Sequence, residues 1–198
     1  MFTGIIQSIG RIAKVEPRGE DVRLTIDAGK LDMSDVGLGD SIAANGVCLT
    51  VIALEGKRYT VDVSAESLRC TRGLDAEGEV NLEKAMRLSD RVGGHLVSGH
   101  VDGVGGVVCF EQTGDCYTLE IRAPHDLAKF IAAKGSITVN GVSLTVNAVE
   151  GDVFSLNLIP HTLQETTLKY LKAGASVNLE VDLLARYAER ILSFSKGC

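Results

Sequence analysis

The feature of this 198-residue chain that most constrains its fold is an internal repeat. The segment 41–51 aligns with the segment 136–146, and eight of the eleven aligned positions are identical. The same offset of 95 residues places Gly4 on Gly99 and Gly10 on Gly105. Self-similarity at a fixed spacing indicates tandem copies of one structural unit. Because the length suits two domains of about 100 residues each, we predict two tandem domains of the same fold.

The predicted boundary between the two copies lies near Arg91–His95, where two adjacent glycines offer a flexible joint. We therefore expect an N-terminal domain over residues 1–93 and a C-terminal domain over residues 94–184. A C-terminal helix or tail is expected over residues 185–198.

Each copy alternates apolar and polar residues over short segments, as half-buried strands do. Glycines punctuate these segments at short intervals. Many short antiparallel strands with glycine turns indicate an all-β chain that forms small barrels or sandwiches. The predicted strands include 23–27, 41–43, 60–63 and 80–83 in the first copy and 116–122, 136–139 and 154–158 in the second.

Two segments favour helix instead. Pro124–Lys134 starts with a proline that suits a first helical position, and Gly135 follows it as a possible helix end. The second segment is the C-terminal tail, whose apolar residues form a stripe on one helical face. The stripe permits packing on its own domain or contact between subunits, and its spacing leaves both open. Its members are Leu183, Leu184, Tyr187, Ala188, Ile191 and Leu192.

Charge and cysteine content exclude several classes of protein. The net charge is -6 without a run of Lys and Arg, which argues against nucleic acid and anionic membranes as partners. Five cysteines without a Cys-x-x-Cys spacing predict free thiols rather than a disulfide framework or a zinc site. No signal peptide and no apolar span are apparent, so we expect a cytoplasmic protein without a metal.

The first paired motif is Asn-Gly-Val-[Cys/Ser]-Leu-Thr, at 45–50 and 140–145. Asn-Gly favours a tight turn with positive φ, and Cys48 or Ser143 follows it at the start of an apolar strand. Turn chemistry alone would explain a single copy. Because the motif occurs twice, it favours a duplicated ligand pocket.

The second motif is Ser98–Asp102, whose counterpart is Thr3–Gln7. The glycine in each lacks a Cβ, so a flat ring could approach the backbone closely. His100 could relay protons near neutral pH. The alternative for His100 is an ordinary surface or core histidine.

The third motif is Asp62–Ser67, matched by Asn157–Thr162. Each follows a strand, and its backbone and hydroxyl groups could bind a polyol or the edge of a pyrimidinedione. The alternative is a capped helical turn, in which Ser64 pairs with Ser67 or Thr162 pairs with Glu165. Both interpretations can hold together.

Several segments resemble the riboflavin synthase family, and the resemblance covers nearly the whole chain. They are Met1–Ile6, Gly93–His100, the paired Asn-Gly segments and Ile159–Thr167. The resemblance implies two tandem six-stranded Greek-key β-barrels and a C-terminal amphipathic helix that holds a homotrimer, which favours subunit contact for the apolar stripe. It also implies that each barrel binds one 6,7-dimethyl-8-ribityllumazine. The active site would form between the N-terminal barrel of one subunit and the C-terminal barrel of a neighbour.

The activity implied by the resemblance is the dismutation of two lumazines to riboflavin and 5-amino-6-ribitylaminouracil. No cofactor is expected, because the lumazine ring delocalises the anion formed at its C7 methyl group. One alternative is a non-catalytic lumazine- or flavin-binding protein on the same fold. A structural or nucleic-acid-binding barrel is a further rival, opposed by the charge and by an aromatic content of 5%. Association with lumazine synthase stays open.

The resemblance also implies the ligand contacts. Around the first lumazine they are Gly4, Ile5, Ile6, Cys48, Leu49, Thr50, Asp62, Val63, Ser64, Ala65, Glu66 and Ser67. Around the second they are Gly99, His100, Val101, Ser143, Leu144, Thr145, Asn157, Leu158, Ile159, Pro160, His161 and Thr162. Lys134 would reach the ligand across the interface, and Phe2, Ser41 and Asp182 match positions linked to the site.

Four of these residues are candidates for the chemistry. We hypothesise that His100 and Thr145 relay protons in one pocket. Cys48 or Ser143 would act as the nucleophile or position a water molecule.

Overall fold

The computed structural model describes residues 1–195, which form two closed six-stranded antiparallel barrels and a C-terminal helix. The first barrel contains β1 (Ser8–Arg18), β2 (Asp21–Asp27), β3 (Ser41–Ala44), β4 (Val47–Glu55), β5 (Arg58–Val63) and β6 (Gly78–Lys84). The second contains β7 (Gly103–Thr113), β8 (Cys116–Arg122), β9 (Ser136–Val139), β10 (Val142–Glu150), β11 (Val153–Leu158) and β12 (Ser176–Val181). The helices are α1 (Ala65–Cys70), α2 (His125–Ala128), α3 (Pro160–Glu165) and α4 (Leu183–Ser195), with a 3₁₀ turn at Thr167–Tyr170.

Both barrels have the same topology. The strands of the first follow the order β1-β2-β5-β4-β3-β6 around the barrel, and those of the second follow the equivalent order. The hairpin-connected strands β3, β4 and β5 lie between β6 and β2, which is a Greek-key arrangement. Register shifts occur after Ile12 and Val51 and recur after Val107 and Val146. The predicted fold of two Greek-key barrels and a terminal helix is confirmed.

Each barrel encloses its own apolar core, because alternate residues of its strands point inward. Leu24 and Ile26 of β2 are fully buried, as are Leu119 of β8 and Leu156 of β11. The two cores are separate clusters, so each barrel has the core that an independent domain needs.

The two Asn-Gly turns have the predicted conformation. Asn45 and Asn140 both have φ of 47°, and Gly46 and Gly141 follow with φ of 82° and 81°. Two successive residues with positive φ make the two-residue turn that matches the twist of an antiparallel hairpin. The two turns also pack against each other, since a Cβ on Gly46 would lie 2.9 Å from the amide nitrogen of Gly141.

Reciprocal asparagine bonds join the barrels beside these turns. The Asn81 side-chain amide donates to the Asn140 carbonyl (2.9 Å), and that of Asn178 donates to the Asn45 carbonyl (3.0 Å). Because each bond from one barrel has its equivalent from the other, the barrels are related by an approximate twofold axis at this contact.

We expect Gly46→Ala to lower the free energy of unfolding more than Gly56→Ala does. Both glycines have positive φ, but nothing lies within 4 Å of a Cβ on Gly56. The Gly56 variant therefore carries only backbone strain of about 1–2 kcal/mol. The Gly46 variant adds about 1–3 kcal/mol of overpacking against the second barrel. Urea unfolding measures both, and equal losses would show that the barrels do not contact each other here.

The helix predicted over Pro124–Lys134 is wrong in extent, because α2 ends at Ala128. The following residues form separate turns whose hydrogen bonds join residues three positions apart. One of these bonds runs from the Phe130 amide to the Leu127 carbonyl (3.0 Å). Lys134 has φ of 68°, which a right-handed helix does not permit. The chain needs this turn to enter β9 directly afterwards.

The joint predicted at Arg91–His95 is exposed as far as Gly94, and its flexibility stays a prediction. A Cβ on Gly94 would contact the Thr3 carbonyl oxygen and would lie 2.6 Å from the Ser143 Oγ. His95 is buried, and Phe2 and Val97 form an antiparallel bridge. The end of the segment that links the barrels therefore contacts the N-terminus, and Gly94 is required by close contact.

Helix α4 begins at Leu183, two residues before the predicted start of the tail, and residues 196–198 lie outside the described residues. Most of the predicted apolar stripe is exposed, including Leu184 (74%), Tyr187 (61%) and Leu192 (63%). The stripe is therefore not covered by its own domain. None of the described helices is long and apolar enough to cross a membrane.

Candidate active site

The segment before each barrel crosses to the other barrel. The Ser143 amide of β10 donates to the Gly4 carbonyl (2.7 Å), and Ile6 packs on the second core. Equivalently, the Cys48 amide of β4 donates to the Gly99 carbonyl (2.8 Å). Val101 packs on the first core. Each segment thus contacts the opposite barrel before it enters the first strand of its own barrel.

This exchange corrects the grouping expected from the sequence. Gly4–Ile6 does not share a pocket with Cys48, and Gly99–Val101 does not share one with Ser143. We define the first pocket as Cys48–Thr50, Asp62–Ser67 and Gly99–Val101. The second pocket is Gly4–Ile6, Ser143–Thr145 and Asn157–Thr162. In each pocket, the first residues of one strand (β4 or β10) lie beside the last residues of its antiparallel neighbour (β5 or β11).

Glycine is required where each crossing segment meets the opposite barrel. Gly4 and Gly99 have φ of 75° and 79°. A Cβ on Gly4 would lie 2.6 Å from the Cβ of Ser143, and one on Gly99 would lie 2.8 Å from that of Cys48. Both the backbone conformation and the space therefore exclude a side chain.

The first pocket contains two carboxylates that are held ionised. Arg23 donates to both oxygens of Asp62 (2.7 and 2.9 Å), and this bond lowers the Asp62 pKa. Arg69 does the same for Glu66. Ser64 caps α1 by accepting a bond from the Ser67 amide (3.2 Å), so the capped-turn interpretation is confirmed here.

The second pocket has no carboxylate at the equivalent positions, with Asn157 for Asp62 and His161 for Glu66. Helix α3 starts after Ile159 without a side-chain cap, so the predicted pairing of Thr162 with Glu165 as a cap is wrong. Thr162 lies inside the helix, where its carbonyl accepts the Thr166 hydroxyl (2.6 Å). The two pockets thus differ in their acidic side chains.

Sequence reasoning missed His95 as a site residue. Its Nδ1 lies 2.7 Å from the Ser143 Oγ, and its side chain is 9% exposed. Nε2 is buried without a hydrogen-bond partner among the described residues. Burial lowers the His95 pKa, and the charge of Asp182 opposes this. The repeat could not indicate His95, because the offset of 95 residues aligns it with none of the residues of the first copy.

We expect His95 to stay neutral at a pH where His125 is protonated. Burial lowers the pKa of His95 from its usual 6.5, whereas the bond to Asp152 raises that of exposed His125. The stability that neutral His95 contributes is therefore complete above pH 6.5 and is lost as the pH falls through its lower folded pKa. An NMR titration of the histidine ring protons measures both values. A midpoint for His95 at or above that of His125 would contradict the buried position.

Three predicted contacts point into the cores. Leu49 is 5% exposed, and Val63 and Leu158 are 1% and 0% exposed. Any contact they make with a ligand would therefore come from backbone atoms. Half-buried Cys48 and Ser143 occupy the walls of the two pockets.

His100 and Thr145 lie in different pockets of one chain. His100 follows Gly99 at the first pocket, and Thr145 follows Ser143 on β10 at the second; both are exposed. Within one chain they therefore lie beside different crossing segments, and their shared role in proton relay stays a prediction.

The remaining candidates surround the pockets. Fully buried Phe2 packs behind Cys48, so it supports the first pocket from below. Ser41 pairs with Thr50 and lines a cavity of about 300 Å³. Lys134 is exposed in the turn before β9. Among residues 1–195, no group of three or more His, Cys, Asp or Glu is placed to hold a metal.

Asp182 links the second pocket to the C-terminal helix. It is the acidic neighbour of His95, and its carboxylate accepts the Leu184 amide (2.9 Å) at the start of α4.

The chain is similar to known lumazine-binding proteins. A family model described as a lumazine binding domain matches residues 3–85 and 98–182. Riboflavin synthase of Photobacterium phosphoreum is 48% identical over 198 residues, which cover 99% of this chain and 91% of the relative. That of Bacillus subtilis is 42% identical over 97% of this chain and 90% of the relative.

Solved structures agree as well. LumP complexed with riboflavin superposes with a TM-score of 0.83 at 28% identity, covering 91% of this chain and 99% of LumP. LumP complexed with 6,7-dimethyl-8-ribityllumazine gives 0.80 at the same identity and coverage. The family model spans both barrels, and the curated relatives span nearly the whole chain. The chain therefore belongs to the riboflavin synthase family of lumazine-binding proteins.

Proposed function

We propose that this protein converts two molecules of 6,7-dimethyl-8-ribityllumazine into one riboflavin and one 5-amino-6-ribitylaminouracil. The observation that carries the proposal is the pair of like pockets on twofold-related barrels, in a chain 41–48% identical to riboflavin synthases. A second lumazine pocket has a purpose when one lumazine gives a four-carbon unit to another. Holding both molecules in place can contribute about 7–11 kcal/mol to lowering the barrier.

The substrate supplies much of the chemistry. Its C7 methyl group is acidic because the resulting anion delocalises into the ring, so a base is needed only to remove the proton. A nucleophile or a water molecule adds to the partner ring. The protein must bind two rings face to face, orient them and move protons between them.

The two pockets of one catalytic site come from two chains of a homotrimer. Arg186 of α4 pairs with Asp102, and Lys129 pairs with Glu189 (2.7 Å), so polar bonds fix the helix on its own barrel. Its apolar stripe faces outward and is available to a second copy. The first pocket of one subunit then faces the second pocket of its neighbour, and His100 meets Thr145 across that interface.

Different roles follow from the differences between the pockets. In the second pocket, His95 holds Ser143, which suits a hydroxyl that positions water or adds to the ring. Cys48 is the counterpart in the first pocket, where its amide bonds to the crossing segment as the Ser143 amide does in the second. Lys134 carries a positive charge toward the ligand of the neighbouring chain. Free thiols at Cys48, Cys70, Cys109 and Cys116 suit the reducing cytoplasm.

The alternative is a non-catalytic protein that retains lumazine or flavin. Both pockets keep polar groups at matching positions, including Ser143, Thr145 and Asp62, which a protein with one working pocket would not need. The chain is also 41–48% identical to riboflavin synthases and 28% identical to LumP. These observations favour the enzyme.

Incubation of the purified protein with 6,7-dimethyl-8-ribityllumazine alone, without metal or cofactor, tests the proposal. We expect riboflavin and 5-amino-6-ribitylaminouracil in equal amounts, followed by absorbance and product chromatography. Tight binding of lumazine without turnover would contradict the enzymatic function and support the alternative.

A further inference from the structure

Glu83 lies on β6 of the first barrel and is 3% exposed. Its Oε1 accepts the amide and the hydroxyl of Thr3 (2.7 Å each), and its Oε2 accepts the Gly4 amide (2.9 Å). These residues belong to the segment that crosses to Ser143. The carboxylate therefore sits under the point where the N-terminus leaves the first barrel.

Glu180 occupies the equivalent position on β12 of the second barrel and is also 3% exposed. Its Oε1 accepts the amide and hydroxyl of Ser98 (2.7 and 2.6 Å). Its Oε2 accepts the amides of Gly99 (3.0 Å) and His100 (3.1 Å). These residues belong to the segment that crosses to Cys48.

The bonding pattern suits a carboxylate at both positions. The backbone amides can only donate, so a protonated acid could give its proton only to the hydroxyl of Thr3 or Ser98, whose own bond to the carboxyl group would then be lost. Burial raises the pKa of both groups, and the donated bonds oppose that rise. A glutamine at either position has nearly the same shape as glutamate, but its side-chain NH₂ group would face a backbone N–H group. The hydrogen bond from that N–H group would be lost.

We infer that Glu83 is a positioning residue for the second pocket and Glu180 for the first, each serving the pocket built on the opposite barrel. Glu83 fixes Thr3 and Gly4, and the Gly4 carbonyl fixes the Ser143 amide (2.7 Å). Glu180 fixes Gly99, whose carbonyl holds Cys48 (2.8 Å). The inference rests on the proposed function only for the identity of the ligand.

The test uses full-length chains in which a substitution obstructs one of the two pockets and leaves the other open. Thr50 and Thr145 are exposed at matching positions of β4 and β10, so Thr50→Trp obstructs the first pocket and Thr145→Trp the second. Riboflavin is the probe, and quenching of its fluorescence gives the Kd. Glu83→Gln is combined with each of these variants, and Glu180→Gln likewise.

We expect Glu83→Gln to raise the Kd about tenfold in the chain with only the second pocket open, because charged hydrogen bonds are lost. With only the first pocket open, the Kd should stay within about twofold. Glu180→Gln should show the reverse pattern. If Glu83 affected the pocket of its own barrel, or both pockets equally, the inference would be overturned.

Thr3→Val and Ser98→Ala repeat the test if a glutamine variant does not fold, since each removes only one hydroxyl donor. They should give the same crossed pattern with a smaller effect, and the absence of that pattern overturns the inference. Because riboflavin binding is measured rather than turnover, a protein that binds flavin without making it would contradict the proposed function and leave this test intact.

Discussion

Replacing Leu184 and Tyr187 with aspartate should convert the proposed trimer into monomers and lower the rate of riboflavin formation about 100-fold or more. Both side chains are exposed on α4, at 74% and 61%. Charges on this stripe oppose its burial against a second copy. Monomers would keep both pockets but could not place them face to face, so the advantage of holding two substrates together would be lost.

Light scattering gives the oligomeric state, and product formation gives the rate. Leu88→Asp is the matched control, because Leu88 is fully exposed outside α4 and its substitution should leave the trimer intact. Monomers with full activity would show that one chain holds a complete catalytic site.

Removing the polar side chains of either pocket should lower turnover by about 10²-fold or more, while riboflavin still binds. His95→Ala with Ser143→Ala removes the hydrogen-bonded pair of the second pocket. Cys48→Ala with His100→Ala removes two polar side chains of the first pocket. Because each pair of side chains acts on a different lumazine ring, we expect that removing either pair nearly stops the reaction. Single-turnover kinetics separates this loss from weaker binding.

If either double variant kept full activity, its substituted residues would have no role in the mechanism. Ser34→Ala serves as a control, because Ser34 is exposed outside both pockets and donates its backbone amide to Asp32 (3.0 Å). We expect its effect on turnover to be much smaller.

The barrels could be predicted because their signals are local. Alternation of apolar and polar residues marks β2 and β8, and the Asn-Gly pairs mark the turns after β3 and β9. The long strands β1 and β7 gave a weaker signal, since Gly10, Gly105 and Gly106 interrupt the alternation. The repeat then extended each assignment from one copy to the other.

The exchange of the crossing segments could not be predicted in this way. Alignment places Gly4 on Gly99 but does not show which barrel either glycine contacts. The answer depends on long-range bonds from Ser143 and Cys48 to the opposite segment. His95 was missed for a related reason, since its contact with Ser143 joins residues 48 positions apart and has no counterpart in the first copy.

The most direct test of the site shared between chains is to mix the two inactive double variants. Subunits carrying His95→Ala and Ser143→Ala keep an intact first pocket, and those carrying Cys48→Ala and His100→Ala keep an intact second pocket. After unfolding and refolding of an equal mixture, up to about a quarter of the sites should combine two intact pockets from different chains. We predict that riboflavin formation recovers to that fraction of the unmodified rate. Mixed trimers without recovered activity would contradict a site shared between chains.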